Sequence, residues 1–126
     1  MNLIDLQDIL KSSYFFSNHT QEFAESLTKF SNEFPSDTLA GYIAAQFNMV
    51  ANREGESYNI LRRLQSYYPK DKGVAQNIIS YLYTVKNWKE LIDFNNKHLA
   101  SKDIEGLELT LLQSKASAEY MTKDYT

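Results

Sequence analysis

The feature that most constrains this chain is a recurrence of 34 residues. Pro35 and Pro69 stand 34 residues apart, Asp103 follows at the same interval, and the polar breaks near Asn18, Asn52 and Lys86 keep the same spacing. Each interval holds two amphipathic helical runs with a polar turn between them. Thr38 to Pro69 shows the unit most plainly. Leu39, Ala40, Ile43, Ala44, Ala45, Phe47 and Val50 recur at helical spacing, with small residues where a second backbone must come close. Asn52 to Gly55 interrupts the run. Tyr58, Leu61, Leu64 and Tyr68 then form a second stripe, with Glu56, Asn59, Arg62, Arg63 and Gln65 left for water. Pro69 closes it, because proline cannot extend the helical hydrogen bonding and disfavours helix in the residue before it. Helix pairs repeated at this period cannot bury their own apolar faces and must lean on one another. The expectation is an all-α solenoid of antiparallel helix pairs.

Taken in order, the periodicity predicts seven helices. The first covers residues 3–16, with Leu3, Leu6 and Leu10 on one stripe. Asn18 and Gln21 form a capping box before the second, whose apolar face is Phe23, Leu27, Phe30 and Phe34. Ser36 and Asp37 suit the start of the third helix, and Asp71 the start of the fifth, which carries Val74, Ala75, Ile78, Ile79 and Leu82. Asn87 with Glu90 repeats the capping box ahead of Trp88, Leu91, Ile92, Phe94 and Leu99. Asp103 is expected to cap a seventh helix, Ile104 to about Met121. Gln76, Ser80, Tyr83 and Lys86 recur as Gln113, Ser117, Tyr120 and Lys123 at a shift of 37 residues, so the last connection is about three residues longer. The repeats are then 3–35, 36–69, 70–102 and a half repeat over 103–126. In the seventh helix Leu107, Leu111 and Ala118 share one stripe while Leu109, Leu112 and Ala116 point elsewhere. Such a surface calls for cover. It implies either that the chain is the N-terminal part of a longer protein or that it forms a homodimer through its C-terminal helix.

Composition narrows the class. Hydrophobic residues at 43% and charged ones at 23% are ordinary for one globular domain. Thirteen basic against sixteen acidic side chains, a formal charge of −3, give no footprint for nucleic acid or an anionic membrane. Arg62, Arg63, Lys70 and Lys72 therefore read as a solvated helix end, where cations suit the dipole. The absence of cysteine excludes disulfides, thiolate metal sites and a cysteine nucleophile. The acidic N-terminal turns exclude a signal peptide or membrane span. We expect a cytoplasmic protein with no membrane insertion.

Residues fit for catalysis are sparse. His19 and His98 are the only histidines, and neither has a carboxylate or hydroxyl at a spacing that suggests a triad or metal site. Asp5 and Asp8 share a face, but acids near a helix N-terminus are favoured by the dipole alone. No phosphate-binding glycine loop or zinc-protease motif occurs. The expectation is a non-enzymatic chain with no cofactor and no metal.

With period, pairing and proline in place, the sequence resembles the tetratricopeptide repeat (TPR) family over nearly its whole length. Ala45 and Ala116 match the small residue of that family's first helix, Trp88 and Tyr125 the aromatic that opens its second, and Pro35 and Pro69 its closing proline. Lys11, Ile79, Phe23, Leu91 and Asp103 depart from the pattern. The resemblance implies a right-handed solenoid of about three and a half repeats, in which the first helix of each pair lines a concave groove. The positions so implied are Asp5, Asp8, Ser12, Leu39, Tyr42, Gln46, Met49, Gln76, Ser80, Tyr83, Gln113, Ser117 and Tyr120. Beyond the first helix they are uncharged, a mixture of apolar area and hydrogen-bonding ends suited to a peptide or helix. The lysine, asparagine and arginine clamp with which some relatives grip a C-terminal carboxylate is absent, its places being held by Asp8, Ser12, Ile43, Gly73 and Asn77. The implied function is an adaptor for a protein or peptide partner. Two others follow from the same resemblance: an N-terminal regulatory or targeting domain of a larger enzyme, and a chaperone for a secreted protein.

Overall fold

A computed structural model describes residues 19–123. The expected helix over 3–16, with Asp5, Asp8 and Ser12, the cap at Asn18, and Tyr125 lie outside the described residues. The described chain is all-α: α1 (Thr20–Glu33), α2 (Thr38–Val50), α3 (Glu54–Tyr67), α4 (Lys72–Thr84), α5 (Trp88–Ser101) and α6 (Glu108–Lys123). These six answer to the second through seventh expected helices. By contacts the chain divides into two units, Met1–Tyr67 and Tyr68–Thr126, the first holding α1 to α3 and the second α4 to α6.

The caps repeat as the period requires. Asp37 accepts from the Ala40 amide and Asp71 from the Val74 amide, each at 3.0 Å, so each carboxylate satisfies an amide that the first turn leaves without a partner. Asn87 accepts from the Glu90 amide at 3.3 Å, and its own amide nitrogen donates to the Glu90 carboxylate at 2.9 Å. The helix ends repeat as well. Asn52 and Lys86 both take left-handed backbone, φ 60 and φ 61. Around them Arg53 N donates to Asn48 O and Asn87 N to Leu82 O, while Asn52 N donates to Met49 O and Lys86 N to Tyr83 O. This is one Schellman motif written twice at the predicted interval.

In the first unit α2 packs against both α1 and α3. Gly41 permits the α3 contact: a Cβ there would lie 2.7 Å from Leu64 Cδ1, so only a bare backbone lets the fully buried Leu64 close on α2. On the α1 side Phe23 meets Phe47 edge to face at 4.8 Å, and the buried Asn48 donates to Thr28 Oγ1 and to Ala44 O, both at 2.7 Å. Arg63 corrects the reading of its cluster as a solvated helix end. It is half-buried and reaches from α3 to the C-terminus of α1, donating to Ser31 Oγ, Ser31 O and Asn32 Oδ1. There it shares the Ser31 carbonyl with the Phe34 amide and meets the negative end of the dipole; burial lowers its pKa.

In the second unit α5 packs against α4 and α6. Val74, Ala75, Ile78, Ile79, Leu82, Leu91, Phe94, Leu107, Leu111 and Ala118 form its buried apolar core. Ser114 Oγ donates to the buried Asn95 Oδ1 at 2.9 Å, a polar link between α5 and α6 like the Asn48–Thr28 link between α1 and α2. Asp103 is not a helix cap, contrary to expectation. α6 begins only at Glu108, and Asp103 instead accepts from Ser101 Oγ and binds His98 Nδ1, each at 2.9 Å.

The register of α6 is also corrected. The connections before α2 and α4 are four residues long and the one before α6 is six, so α4 maps onto α6 at a shift of 36, not 37. The burial pattern agrees: Ala75, Ile78 and Leu82 fall on Leu111, Ser114 and Ala118, all buried.

Candidate functional site

That register repeats one uncharged stripe on three helices, one in the first unit and two in the second. In α2, Leu39, Tyr42, Gln46 and Val50 stand at i, i+3, i+7 and i+11; in α4 the same places hold Gly73, Gln76, Ser80 and Thr84; in α6 they hold Leu109, Leu112, Ala116 and Tyr120. A spacing of three and four residues keeps such a set on one side of a helix. Every member is exposed or half-buried, and none is charged. In α6 the stripe is apolar and open, with Leu109 67%, Leu112 54% and Tyr120 64% exposed. Its opposite side, Leu111, Ser114 and Ala118, supplies the core.

The residues expected from the sequence fall on or beside these stripes, each within its own helix. Tyr42 and Met49 are half-buried and Gln46 is exposed on α2 of the first unit; Gln76, Ser80 and Tyr83 are exposed on α4 of the second. On α6 Gln113 and Tyr120 are exposed and Ser117 is half-buried. Tyr83, Ser117 and Tyr120 meet: with Ala116 and Met121 they line a cleft of about 440 Å³ between α4 and α6. Tyr83 is held there by Trp88, whose ring meets it edge to face at 5.2 Å, so one tyrosine wall is braced before anything binds. Leu109, Leu112 and Ala116 were read as a surface in need of cover but not as part of the groove, and Met121 was not singled out. The signal for the first three was the six-residue connection, which the chance agreement of glutamine and serine at one residue's offset concealed.

The other arrangement with chemical character is His98 with Asp103. His98 is buried, its ring lies 4.4 Å from that of Phe94, and its Nε2 is buried with no hydrogen-bond partner among the described residues. A general base must reach the proton it takes, and this nitrogen is closed to solvent. The pair instead ties the end of α5 to the loop that follows, with Lys102 in the left-handed region turning the chain back. No group of three or more potential metal ligands occurs among the described residues. None of the described helices is long and apolar enough to cross a membrane.

The hydrogen bond from His98, aided by Ser101, holds the Asp103 carboxyl below its ordinary value, against the opposing effect of partial burial. A carboxylate depressed in the folded state adds stability above its unfolded pKa, about 3.9, and loses it as the pH falls through the lower folded value. Asp103→Asn is therefore expected to lose less stability than the parent chain between about pH 5 and pH 2 in urea titrations. Parallel losses in the two proteins would show that the pair contributes nothing to acid sensitivity.

No protein-family model, no curated protein and no solved structure matches the chain.

Proposed function

We propose that the protein is a tetratricopeptide-like interaction module, a non-enzymatic adaptor that binds a segment of a partner protein along the uncharged face of α4 and α6. The observation that carries this reading is the apolar stripe of α6 and the tyrosine-walled cleft beside it. Leaving two leucines and a tyrosine open costs on the order of 1.5 to 3 kcal/mol for each leucine relative to burial. A contiguous exposed apolar patch rimmed by polar residues marks a place where another molecule docks. Tyrosine and methionine suit such a place, giving apolar contact with little ordering cost and a polar or polarisable end. The uncharged face speaks against nucleic acid, whose affinity rests on cations aimed at phosphates.

A photo-crosslinking side chain placed at Ser80 or Gln113, beside the cleft, tests this in cells. Discrete adducts with a protein partner are expected from these two positions and not from Lys89, an exposed residue in the first turn of α5. Adducts from Lys89 alone, or from none of the three, would contradict the assignment.

A further inference from the structure

We infer that His98, Asn95 and Ser114 form a proton-linked switch in the second unit, in which the Asn95 side-chain amide turns over when the His98 ring takes up a second proton. The inference goes beyond the interaction reading and does not depend on it. His98 Nε2 and Asn95 Nδ2 are both buried with no hydrogen-bond partner among the described residues. Buried polar atoms are seldom left so. One is an acceptor when the ring is neutral and the other a donor, and they stand three residues apart on the buried side of α5. Side chains at that spacing share a face, with Cβ atoms about 5 to 6 Å apart, so small side-chain rotations bring the two ends together.

The outer atom of each group fixes what the inner one can do. Asp103 Oδ1 lies 2.9 Å from His98 Nδ1, and a carboxylate only accepts, so Nδ1 carries the proton of the neutral ring and Nε2 presents a lone pair to the Asn95 NH2. Asn95 Oδ1 then accepts from Ser114 Oγ at 2.9 Å. A second proton on the ring makes Nε2 a donor, which would face the donors of the Asn95 amide. Turning the amide over removes that conflict with no change of shape, because its oxygen and nitrogen ends are nearly the same size. Oδ1 then accepts from Nε2, Nδ2 donates to Ser114 Oγ, and Ser114 directs its own proton to Leu111 O, which already lies 3.3 Å away. Each of these groups keeps a partner in both states. Among the described residues Asp103 is the one titratable group bonded to His98. The buried residues of α4 and α6 include none, and on the loop after α5 Lys102 and Glu105 are exposed while Lys72 Nζ reaches towards Gly106. Proton uptake at the closed Nε2 passes through local opening of that loop, so burial slows the exchange without forbidding it.

The test is an NMR titration of the whole chain, isotopically labelled in nitrogen and carbon, from about pH 8 to about pH 5. The imidazole nitrogens report the tautomer and charge of His98, and the Asn95 side-chain amide reports its own partner. The proton of the neutral ring is expected on Nδ1, and the Asn95 amide resonances are expected to change with the same midpoint as the ring. In Asn95→Leu, with folding verified by a circular dichroism melt, His98 is expected to hold its second proton about tenfold less tightly, because the hydrogen bond to the charged ring is the stronger of the two lost. A neutral ring protonated on Nε2, a ring that keeps one charge throughout the range, or an Asn95 amide that does not follow the ring would overturn the switch. Equal proton affinity in the folded Asn95→Leu chain would overturn it as well. If that variant does not fold, the tautomer and the amide resonances of the parent chain decide alone.

Discussion

Replacing Leu64 by alanine is expected to lower the unfolding free energy by about 2 to 5 kcal/mol, the range for deleting a leucine from a packed core. The upper part of the range applies here, because Leu64 is fully buried and lies on the bare backbone of Gly41, where no side chain can swing in to fill the space. The same contact predicts coupling between the two positions. In the parent chain Gly41→Ala sets a Cβ 2.7 Å from Leu64 Cδ1, and overpacking of this kind typically costs about 1 to 3 kcal/mol. In the Leu64→Ala background the clash is gone and alanine is the better helix former by about 1 kcal/mol, so the second change is expected to be neutral or stabilising. Urea titration of the four proteins measures the cycle. Additive losses would show that α2 and α3 do not meet at Gly41.

Asn48→Asp is expected to cost about 3 to 5 kcal/mol near neutral pH, the scale for an uncompensated buried charge. Asn48 is fully buried, and its amide nitrogen donates to Thr28 Oγ1 and Ala44 O. Thr28 already spends its own proton on Ala24 O, at 2.8 Å. A carboxylate in that place turns two hydrogen bonds into two contacts between acceptors. Burial would raise the new carboxyl's folded pKa above its unfolded value of about 3.9. The variant is then expected to come closest to the parent below that value and to fall away as the pH rises through the raised folded pKa. Paired denaturation curves at acid and neutral pH measure this. A gap between variant and parent that does not widen with pH would mean that Asn48 is not closed off from water.

Local rules made much of the fold legible. Asp37, Asp71 and Asn87 cap as read, because an N-cap depends only on its own side chain and the next three amides. The breaks at Asn52 and Lys86 were found from polarity, and the same residues carry the left-handed turns. What escaped the sequence depends on longer paths. Arg63 finds its partners 31 and 32 residues away on another helix, a distance at which no periodicity speaks. His98 and Asp103 stand five residues apart, off any helical spacing, and meet only because Lys102 reverses the chain.

The site shows how small an error suffices. Matching Gln76 with Gln113 and Ser80 with Ser117 offset the register of α6 by one residue, and one residue is about 100° around a helix. The face moved from Leu112 and Ala116 to the flank beside the cleft. Tyr120 belongs to the stripe and the cleft together, and Ser117 to the cleft, so the expected set overlaps the surface without describing its apolar centre. The seventh helix was read with Leu109, Leu112 and Ala116 off the core stripe, and there they stand.

The central claim is that this uncharged stripe is where a partner binds. Methyl and amide resonances of the whole chain, followed by NMR as a synthetic amphipathic peptide of leucine and lysine is added, test it most directly. The account predicts shifts at Leu109, Leu112, Ala116 and Tyr120, with the buried Leu64 and Leu91 unmoved. Shifts centred on Arg62 and Arg63, with the α6 stripe silent, would contradict it.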